Sequence, residues 1–287
     1  MSMDHTFAEL LTVYEQQYLC HLAPTTQAHH HIVFQALCAA YGGLAVAEMT
    51  PALLREWREA MRQRHKASTV RQYMATVSSA FTFAVEELGW LPESPLRKVR
   101  KPPEPAGRTR FLDAEELPRL MEACQRSRNP YLYTIVMLAV TTGGRKNELR
   151  CLQWPQVDIV AGILRLHRTK NRERRPVPVV GQALGLLRGL ATQAVSCWLF
   201  PRRDGTQPVL IEKAWRIARS RAQLVDFHFH DLRHTAAAYM ALSGATLREI
   251  AEILGHTRIQ MTMRYAHLTL PHTRDVMQRM ADTFLTI

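Results

Sequence analysis

Hydrophobic residues recur at helical spacing through the first ninety residues, without the alternation that is typical of strands. Thr50 followed by Pro51 is a typical helix start, with the threonine as N-cap and the proline at the first helical position. The pattern predicts four helices: Thr6–Cys20, Thr25–Ala40, Pro51–Arg64, and a last helix capped by Ser68 and ended by Gly89. Four helices joined by short loops predict a small all-α domain.

A basic, proline-rich segment separates this helical region from the rest of the chain. Five prolines between Pro92 and Pro105 prevent a continuous helix. A plain linker would need the prolines but not the charge, so we interpret the segment as a strap along a nucleic-acid backbone. It predicts a first domain at 1–96, a linker at 97–109 and a second domain at 110–287. Six basic residues lie in or beside this linker: Arg97, Lys98, Arg100, Lys101, Arg108 and Arg110.

The second domain begins with helical patterns and then changes period. Asp113 and Glu116 form a predicted capping box, and an apolar helix begins at Asn129–Pro130. Gly143 and Gly144 allow a tight turn that brings the backbone and Arg145 close to a ligand. The sequences ILRLHR and PVPVV then predict a β-hairpin. The tip of that hairpin is basic and carries Lys170, Arg172, Arg174 and Arg175.

After the hairpin the pattern predicts an apolar helix, a short strand at Trp198–Pro201 and a helix at Ile211–Leu224. The second domain is therefore predicted to be mixed α+β, mainly helical, with a small antiparallel sheet. The helix at Ile211–Leu224 is rich in basic residues: Lys213, Arg216, Arg219 and Arg221.

Candidate chemistry is concentrated between Phe227 and His267. His230 and Arg233 are three residues apart and lie at neighbouring positions of one helix face. His256 and Tyr265 are nine apart, and on an unbroken helix they would face opposite sides. The glycine just before His256 interrupts the helix, so both side chains can point into one site. Two histidines, an arginine and a tyrosine without a carboxylate indicate a phosphate site rather than a metal site.

Composition narrows the class of partner. The 287 residues carry a formal net charge of +12, and the sequence pI is about 9.9. Such a surplus of positive charge favours an anionic polymer, above all nucleic acid. Five widely spaced cysteines without a C-x-x-C pair indicate reduced thiols. The longest apolar run, Tyr131–Val140, is too short to cross a bilayer. We therefore expect a soluble, cytoplasmic protein without a membrane partner.

Taken together, these motifs resemble the tyrosine recombinases, the family of phage integrases and their relatives. TGGRKNEL is similar to the first arginine box, HDLRH to the H-x-x-R motif, and MTMRYAHL to the segment that carries the nucleophile. Asn147 is a small departure, since the family more often has a small residue there. The resemblance covers nearly the whole chain and implies six catalytic residues: Arg145, Lys170, His230, Arg233, His256 and Tyr265.

The resemblance implies a site-specific DNA recombinase or integrase that cuts and rejoins strands through a covalent 3′-phosphotyrosine, without metal, ATP or another cofactor. Tyr265 would be the nucleophile and Lys170 would protonate the leaving 5′-oxygen. Guanidinium groups suit phosphate charge because they bind it bidentately and stay charged. The histidines would hydrogen-bond the phosphate and handle the proton of the tyrosine. The implied fold is a SAM-like, core-binding helical bundle followed by the catalytic domain.

The implied partners are double-stranded recombination sites, three further copies of the chain in a homotetramer on DNA, and accessory DNA-bending or directionality proteins. In the family, the helix before the H-x-x-R motif faces the major groove, and the tail beyond the nucleophile commonly docks on a neighbouring subunit. Whether the tail here acts in cis or in trans stays open. Candidate DNA-binding residues are Arg62, Arg71, Arg100, Lys101, Arg172, Lys213, Arg216 and Arg219.

Two alternatives belong to other classes. His230 and His234 have the spacing of a helical zinc pair, with His256 as a third ligand, but Asp231 stands where a metalloprotease needs glutamate. The other alternative is a DNA-binding regulator of the same fold that does not cut. The presence of Tyr265 together with both arginines argues against it.

Overall fold

The computed structural model describes residues 5–104, 107–167, 174–192 and 196–285. The chain divides into two compact units, Met1–Gly107 and Arg108–Ile287. The first unit is helical. Its α-helices are α1 (Phe7–Gln17), α2 (Pro24–Tyr41), α3 (Pro51–Arg64) and α4 (Ala67–Glu86).

Side chains of all four helices form the core of the first unit. Phe7, Tyr14, Phe34 and Phe81 are buried there, and the Tyr14 hydroxyl donates a hydrogen bond to Ser79 Oγ at 3.0 Å. These aromatic residues occupy the helical spacing seen in the sequence, so amphipathic packing accounts for the unit.

The predicted start of the fourth helix was wrong by two residues. The residue at the N-cap is Lys66, not Ser68, and it makes no side-chain capping bond. The extended backbone of Lys66 already directs its carbonyl to the N–H groups of Thr69 and Val70. Ser68 consequently lies inside the first helical turn. At the third helix the prediction holds, because Thr50 accepts a hydrogen bond from the Leu53 N–H.

The segment after α4 is held on the first unit by two arginines. Arg58 donates to the carbonyl of Arg100, and Arg71 donates to the carbonyl of Pro102 at 2.7 Å and to Glu104 at 3.2 Å. The guanidinium of Arg71 is thus already hydrogen-bonded within the first unit.

The second unit contains eight α-helices and a three-stranded sheet among its described residues. The helices are α5 (Glu116–Gln125), α6 (Leu132–Thr142), α7 (Lys146–Arg150), α8 (Gly181–Ala191), α9 (Glu212–Arg221), α10 (Asp231–Leu242), α11 (Leu247–Leu254) and α12 (Leu270–Phe284). The strands are β1 (Val157–Asp158), β2 (Ile163–His167) and β3 (Arg174–Pro178).

The sheet has the order β1–β2–β3 and both pairings are antiparallel. The predicted hairpin is present, with Leu164 opposite Val177 and Leu166 opposite Arg175. Strand β1 was not predicted, since two residues are too few to show a period. The predicted strand at Trp198–Pro201 was wrong, because that segment makes only isolated bridges. One of them joins two prolines, which lack the N–H that a ladder needs.

Two apolar clusters support the second unit. The larger one packs α5, α6, α8 and α9 around the sheet and includes Leu120, Ile135, Leu164 and Phe200. The smaller one joins α10 and α11 and contains Ala237, Ile250, Leu254 and Tyr265. Tyr265 lies in a 3₁₀ segment, Met263–Thr269, between α11 and α12. The candidate nucleophile is therefore part of a small core of its own.

Among the described residues, no helix combines the length and the hydropathy needed to cross a membrane.

Candidate active site

The first component of the site is the turn that follows α6. Gly143 ends this helix with φ +63°, and a Cβ atom there would lie 2.2 Å from the Leu254 side chain. Only glycine fits both the left-handed backbone and the close approach to α11. Arg145 follows as the N-cap of α7. Its backbone N–H and its guanidinium both donate to the Glu148 carboxylate, at 2.9 and 2.6 Å.

Glu148 is buried and is shared between two arginines. Its second partner is Arg175 of β3, which donates to it at 3.1 Å and also donates from Nε to the carbonyl of Ile253 at 2.9 Å. The side chains of Glu148 and Arg175 are 3% and 7% exposed. Burial raises the pKa of Glu148, but the N–H of Arg145 and the charge of Arg175 outweigh it, and the pKa lies below its ordinary value. The carboxylate is ionised at neutral pH.

Arg233 lies in the first turn of α10 and is buried. Its two terminal nitrogens donate to the carbonyls of Gly143 at 2.8 Å and Leu254 at 2.6 Å. Burial, with the charges of Arg145 and Arg175, lowers the pKa of Arg233 to about 9. The guanidinium therefore remains a cation at neutral pH, and adding an anion beside it would relieve this repulsion.

His256 follows the end of α11. Gly255 caps that helix in the left-handed conformation, φ +68°, and His256 Nδ1 is 2.7 Å from Thr262 Oγ1. Burial, together with the charges of Arg233 and Arg145, lowers the pKa of His256 to about 4. The ring is neutral at pH 7 and lies within electrostatic reach of both arginines.

His230 is the N-cap residue of α10, and its side chain is exposed at the edge of the site. Partial removal from water, with the charges of Arg233 and Arg145, lowers its pKa. The next residue, Asp231, is 1% exposed and accepts from Arg108 at 2.9 Å and from the His228 N–H at 2.8 Å. Asp231 thus fixes the start of the helix that carries His230 and Arg233.

Tyr265 is 3% exposed, and its hydroxyl is hydrogen-bonded to Nδ1 of His234. His234 is itself 9% exposed. Burial raises the pKa of Tyr265, partly offset by Arg264 and Arg233, so the tyrosine is a neutral phenol at pH 7. Burial and the neighbouring His230 lower the pKa of His234 to about 4.

The site thus brings Arg145, Arg233, His230 and His256 together, with Tyr265 on the adjoining cluster. Lys170, the sixth predicted catalytic residue, lies outside the described residues. No group of three or more His, Cys, Asp or Glu side chains in the described parts of the chain is placed to hold a metal ion. The zinc alternative consequently has no ligand set there, and His234 and His256 have other partners.

The predicted DNA-binding residues fall into three groups. Lys213 and Arg216 on α9, and Arg100 and Lys101 in the linker, have exposed side chains. Three others already have partners within the protein. Arg62 forms an ion pair with Glu59, Arg71 donates to the carbonyl of Pro102, and Arg219 donates to the carbonyl of Phe227. Arg172 lies outside the described residues.

Sequence reasoning missed four residues of the site: Glu148, Arg175, Asp231 and His234. Three of them stand inside the sequence motifs, since Glu148 lies three residues after Arg145, and Asp231 and His234 lie within two residues of Arg233. Asp231 and His234 were considered only as parts of a zinc site. Arg175 was noticed only as one basic residue of a crowded turn. The contacts of Arg175 join β3 to α7 and α11, and no local sequence signal indicates them.

Comparison with known proteins gives the family. Residues 110–272, more than half of the chain, match the phage integrase family. The chain belongs to this family. The integrase match covers every residue of the site described above. A shufflon-specific DNA recombinase of Escherichia coli is 36% identical over 202 residues, which are 70% of this chain and 51% of that protein. A putative integrase of Pseudomonas phage Pf1 is 28% identical over 277 residues, covering 96% and 79% of the two chains.

Solved structures of integrases share the fold. The lambda integrase tetramer bound to a Holliday junction superposes with a TM-score of 0.76 at 19% identity, over 92% of this chain and 78% of the other. The Tn1549 transposon integrase in complex with a circular intermediate DNA also superposes with a TM-score of 0.76. Its sequence identity is 17%, and the match covers 96% of this chain and 99% of the integrase chain. The chain spans about half the length of the shufflon-specific recombinase and 59% of the integrase of Salmonella phage P22.

Proposed function

We propose that the chain is a site-specific DNA recombinase that cuts and rejoins strands through a tyrosine–DNA intermediate. The observation that carries this proposal is the convergence of Arg145 and Arg233 with two histidines beside the Tyr265 cluster. The proposal also draws on the names of the relatives, which are recombinases and integrases.

Each group has a defined part in the proposed chemistry. The two guanidiniums neutralise charge on the non-bridging phosphate oxygens as it develops in the transition state. The Tyr265 oxygen attacks phosphorus, forms a 3′-phosphotyrosine and displaces the 5′-oxygen of the next nucleotide. Lys170 supplies the proton that the 5′-oxygen needs. In the reverse direction a 5′-hydroxyl of another strand attacks the phosphotyrosine, so strands are rejoined without ATP.

A suicide substrate nicked near the cleavage point tests this chemistry. It should trap a protein–DNA adduct that survives denaturation, maps to Tyr265 and forms in EDTA. Tyr265→Phe should bind the site and form no adduct, because one hydroxyl adds little to a phosphate-dominated interface. Arg145→Ala should bind and lose about 10² to 10³ in cleavage rate. Binding without any adduct in the wild-type protein would instead indicate a regulator of the same fold.

Lys170→Ala separates the leaving-group step from the rest. Its cleavage should be restored by a substrate with a bridging 5′-sulfur, since a thiolate leaves without protonation. Tyr265→Phe should not be restored by the same substrate. If Lys170→Ala stayed inactive on the sulfur substrate, proton donation would not be its role.

We propose that the first unit is the core-binding, SAM-like domain and that residues 97–109 connect it to the catalytic domain. The support is the basic, proline-rich composition of the segment and the separation into two compact units near Gly107. Limited proteolysis of the free protein should cut within 97–110, and DNA should slow the cut. Cleavage centred elsewhere would contradict this boundary.

We propose that α9 contacts DNA through Lys213 and Arg216, whose side chains are exposed. Arg216→Ala should lower affinity and reduce the salt dependence of binding by about one unit if a phosphate contact is lost. A change of base preference would instead place Arg216 on a base edge. Arg219→Ala is the matched comparison, because its guanidinium bonds the carbonyl of Phe227 and should leave the salt slope unchanged.

A further inference from the structure

The hydroxyl of the candidate nucleophile, Tyr265, is hydrogen-bonded to a side chain that has no role in the mechanism proposed above. In the described residues, the hydrogen-bond partner of the Tyr265 hydroxyl is Nδ1 of His234. The two histidines assigned to the site are placed differently. His256 Nδ1 is bonded to Thr262 Oγ1, and the exposed ring of His230 meets the ring of His234 edge to face, 5.5 Å between centroids.

The protonation states of the pair follow from their surroundings. His234 has its pKa lowered to about 4 and is neutral at pH 7, whereas the pKa of Tyr265 is raised and its phenol keeps the proton. A neutral imidazole accepts at one ring nitrogen and donates at the other. We assign to His234 the tautomer that carries its proton on Nε2, in which the Tyr265 phenol donates to Nδ1.

We propose that His234 is a catalytic residue that accepts the proton of Tyr265 during strand cleavage. This inference rests on the proposed recombinase function. As the Tyr265 oxygen bonds to phosphorus, its O–H bond breaks and an N–H bond forms at Nδ1 of His234. The bond from phosphorus to the 5′-oxygen breaks, and that oxygen takes a proton from Lys170. During rejoining, the Nδ1 proton returns to the departing tyrosine oxygen.

The charges around His234 suit a base that acts only when DNA is present. His230, Arg264 and Arg233 disfavour the imidazolium in the free protein, and buried Asp231 favours it. A bound phosphate adds negative charge beside Arg233 and offsets part of that repulsion. The free protein thus keeps the phenol neutral, and the substrate promotes the transfer.

His234→Asn tests this role on the suicide substrate in the full-length protein. The amide oxygen of asparagine can occupy the position of Nδ1 and accept the hydrogen bond, but it cannot take the proton. Adduct formation should fall by about 10²- to 10⁴-fold, the usual contribution of a general base. His267→Asn is the matched control, since His267 is two residues from Tyr265 with an exposed side chain, and it should cleave at the wild-type rate.

A fluorinated tyrosine at position 265 distinguishes proton acceptance from a structural hydrogen bond. Its phenol is more acidic and needs less help from a base, so it should restore much of the cleavage of His234→Asn. His234→Ala provides a second test, because added imidazole should raise its rate of adduct formation and leave that of His267→Asn unchanged.

The outcomes separate the two proposals. Wild-type cleavage by His234→Asn, or a loss that neither fluorotyrosine nor imidazole relieves, would overturn the role of His234 and leave the recombinase function intact. Absence of an adduct with the wild-type protein would overturn the recombinase function itself.

Discussion

At the scale of single residues, the site contains one buried carboxylate that is shared by two arginines. Glu148 accepts from Arg145 and Arg175, and Arg175 also bonds the carbonyl of Ile253 at the end of α11. One carboxylate thereby fixes the orientation of Arg145 and joins it to the turn that carries His256. Removing one member of such a buried pair leaves the other charge unpaired.

Glu148→Gln should therefore lower both stability and cleavage. The loss in unfolding free energy should be about 3–5 kcal/mol, as for other broken buried pairs. The same loss is expected of Arg175→Gln, and the double variant should be more stable than the sum of the two changes predicts, since neither charge is then left alone. Urea denaturation measures all three. Glu252→Gln is the control, because its pair with Arg248 is exposed. Additive losses would mean that the two side chains do not act as a unit.

The neutral histidines of the site make a prediction about pH. The pKa values of His234 and His256 are lowered to about 4 from an ordinary value of 6.5. Between these values the unfolded chain binds more protons than the folded protein, so the free energy of unfolding should fall as pH drops from about 6.5 to about 4. Chemical denaturation at pH 7.5 and 5 should show this loss. The variant His234→Asn/His256→Asn should lose less stability on acidification than the wild-type protein.

The candidate catalytic residues stand in motifs that the sequence shows, but several of their partners could not be predicted from it. Arg145, His230, Arg233, His256 and Tyr265 stand in motifs with fixed spacing. The contacts of Arg175 with Glu148, and of His234 with Tyr265, join residues 27 and 31 positions apart. Such pairs depend on how α10, α11 and β3 pack, and no local pattern records that packing.

At the scale of elements, most of the predicted capping signals are present, although Ser68 is not an N-cap. Gly255 ends α11, as the sequence predicts, and Thr246 begins it through a reciprocal capping box with Glu249. Asp113 and Glu116 exchange the predicted capping bonds before α5. Caps can be predicted because each involves residues within one turn. The segment at Trp198–Pro201 could not, because its bridges depend on distant neighbours.

Gly255→Ala tests how closely the turn at the end of α11 packs against the side chain of Arg175. The backbone there has φ +68°, and a Cβ atom would lie 2.9 Å from Arg175 Cδ. The backbone strain and the displacement of the arginine should together lower the free energy of unfolding by more than about 1 kcal/mol. Cleavage should fall as well, since His256 directly follows Gly255 and Arg175 packs against this turn. The control is Gly189→Ala inside α8, where a Cβ meets nothing within 4 Å and should stabilise the helix. Equal effects of the two changes would contradict the fit at Gly255.

At the scale of the whole molecule, two surface features indicate assembly on DNA. The net charge of +12 favours a DNA partner. On α12 the apolar side chains of Val276, Met277, Met280 and Phe284 are all exposed. On one helix these positions form a single stripe. A continuous apolar stripe that the chain itself leaves uncovered is typical of a binding surface.

We propose that this stripe docks on a neighbouring copy of the chain when recombination sites are paired, which assigns the tail to action in trans. Lambda integrase, which shares this fold, has been solved as a tetramer on a Holliday junction. Met277→Glu and Met280→Glu should leave adduct formation on a single suicide substrate unchanged, because each protomer supplies its own Tyr265. They should abolish recombination between two sites, since a buried charge at the interface would block docking. Gln278→Glu adds the same charge on the opposite face of α12 and should recombine normally. Full recombination by the methionine variants would place the tail outside the subunit interface, and loss of adduct formation by them would mean that α12 supports its own active site.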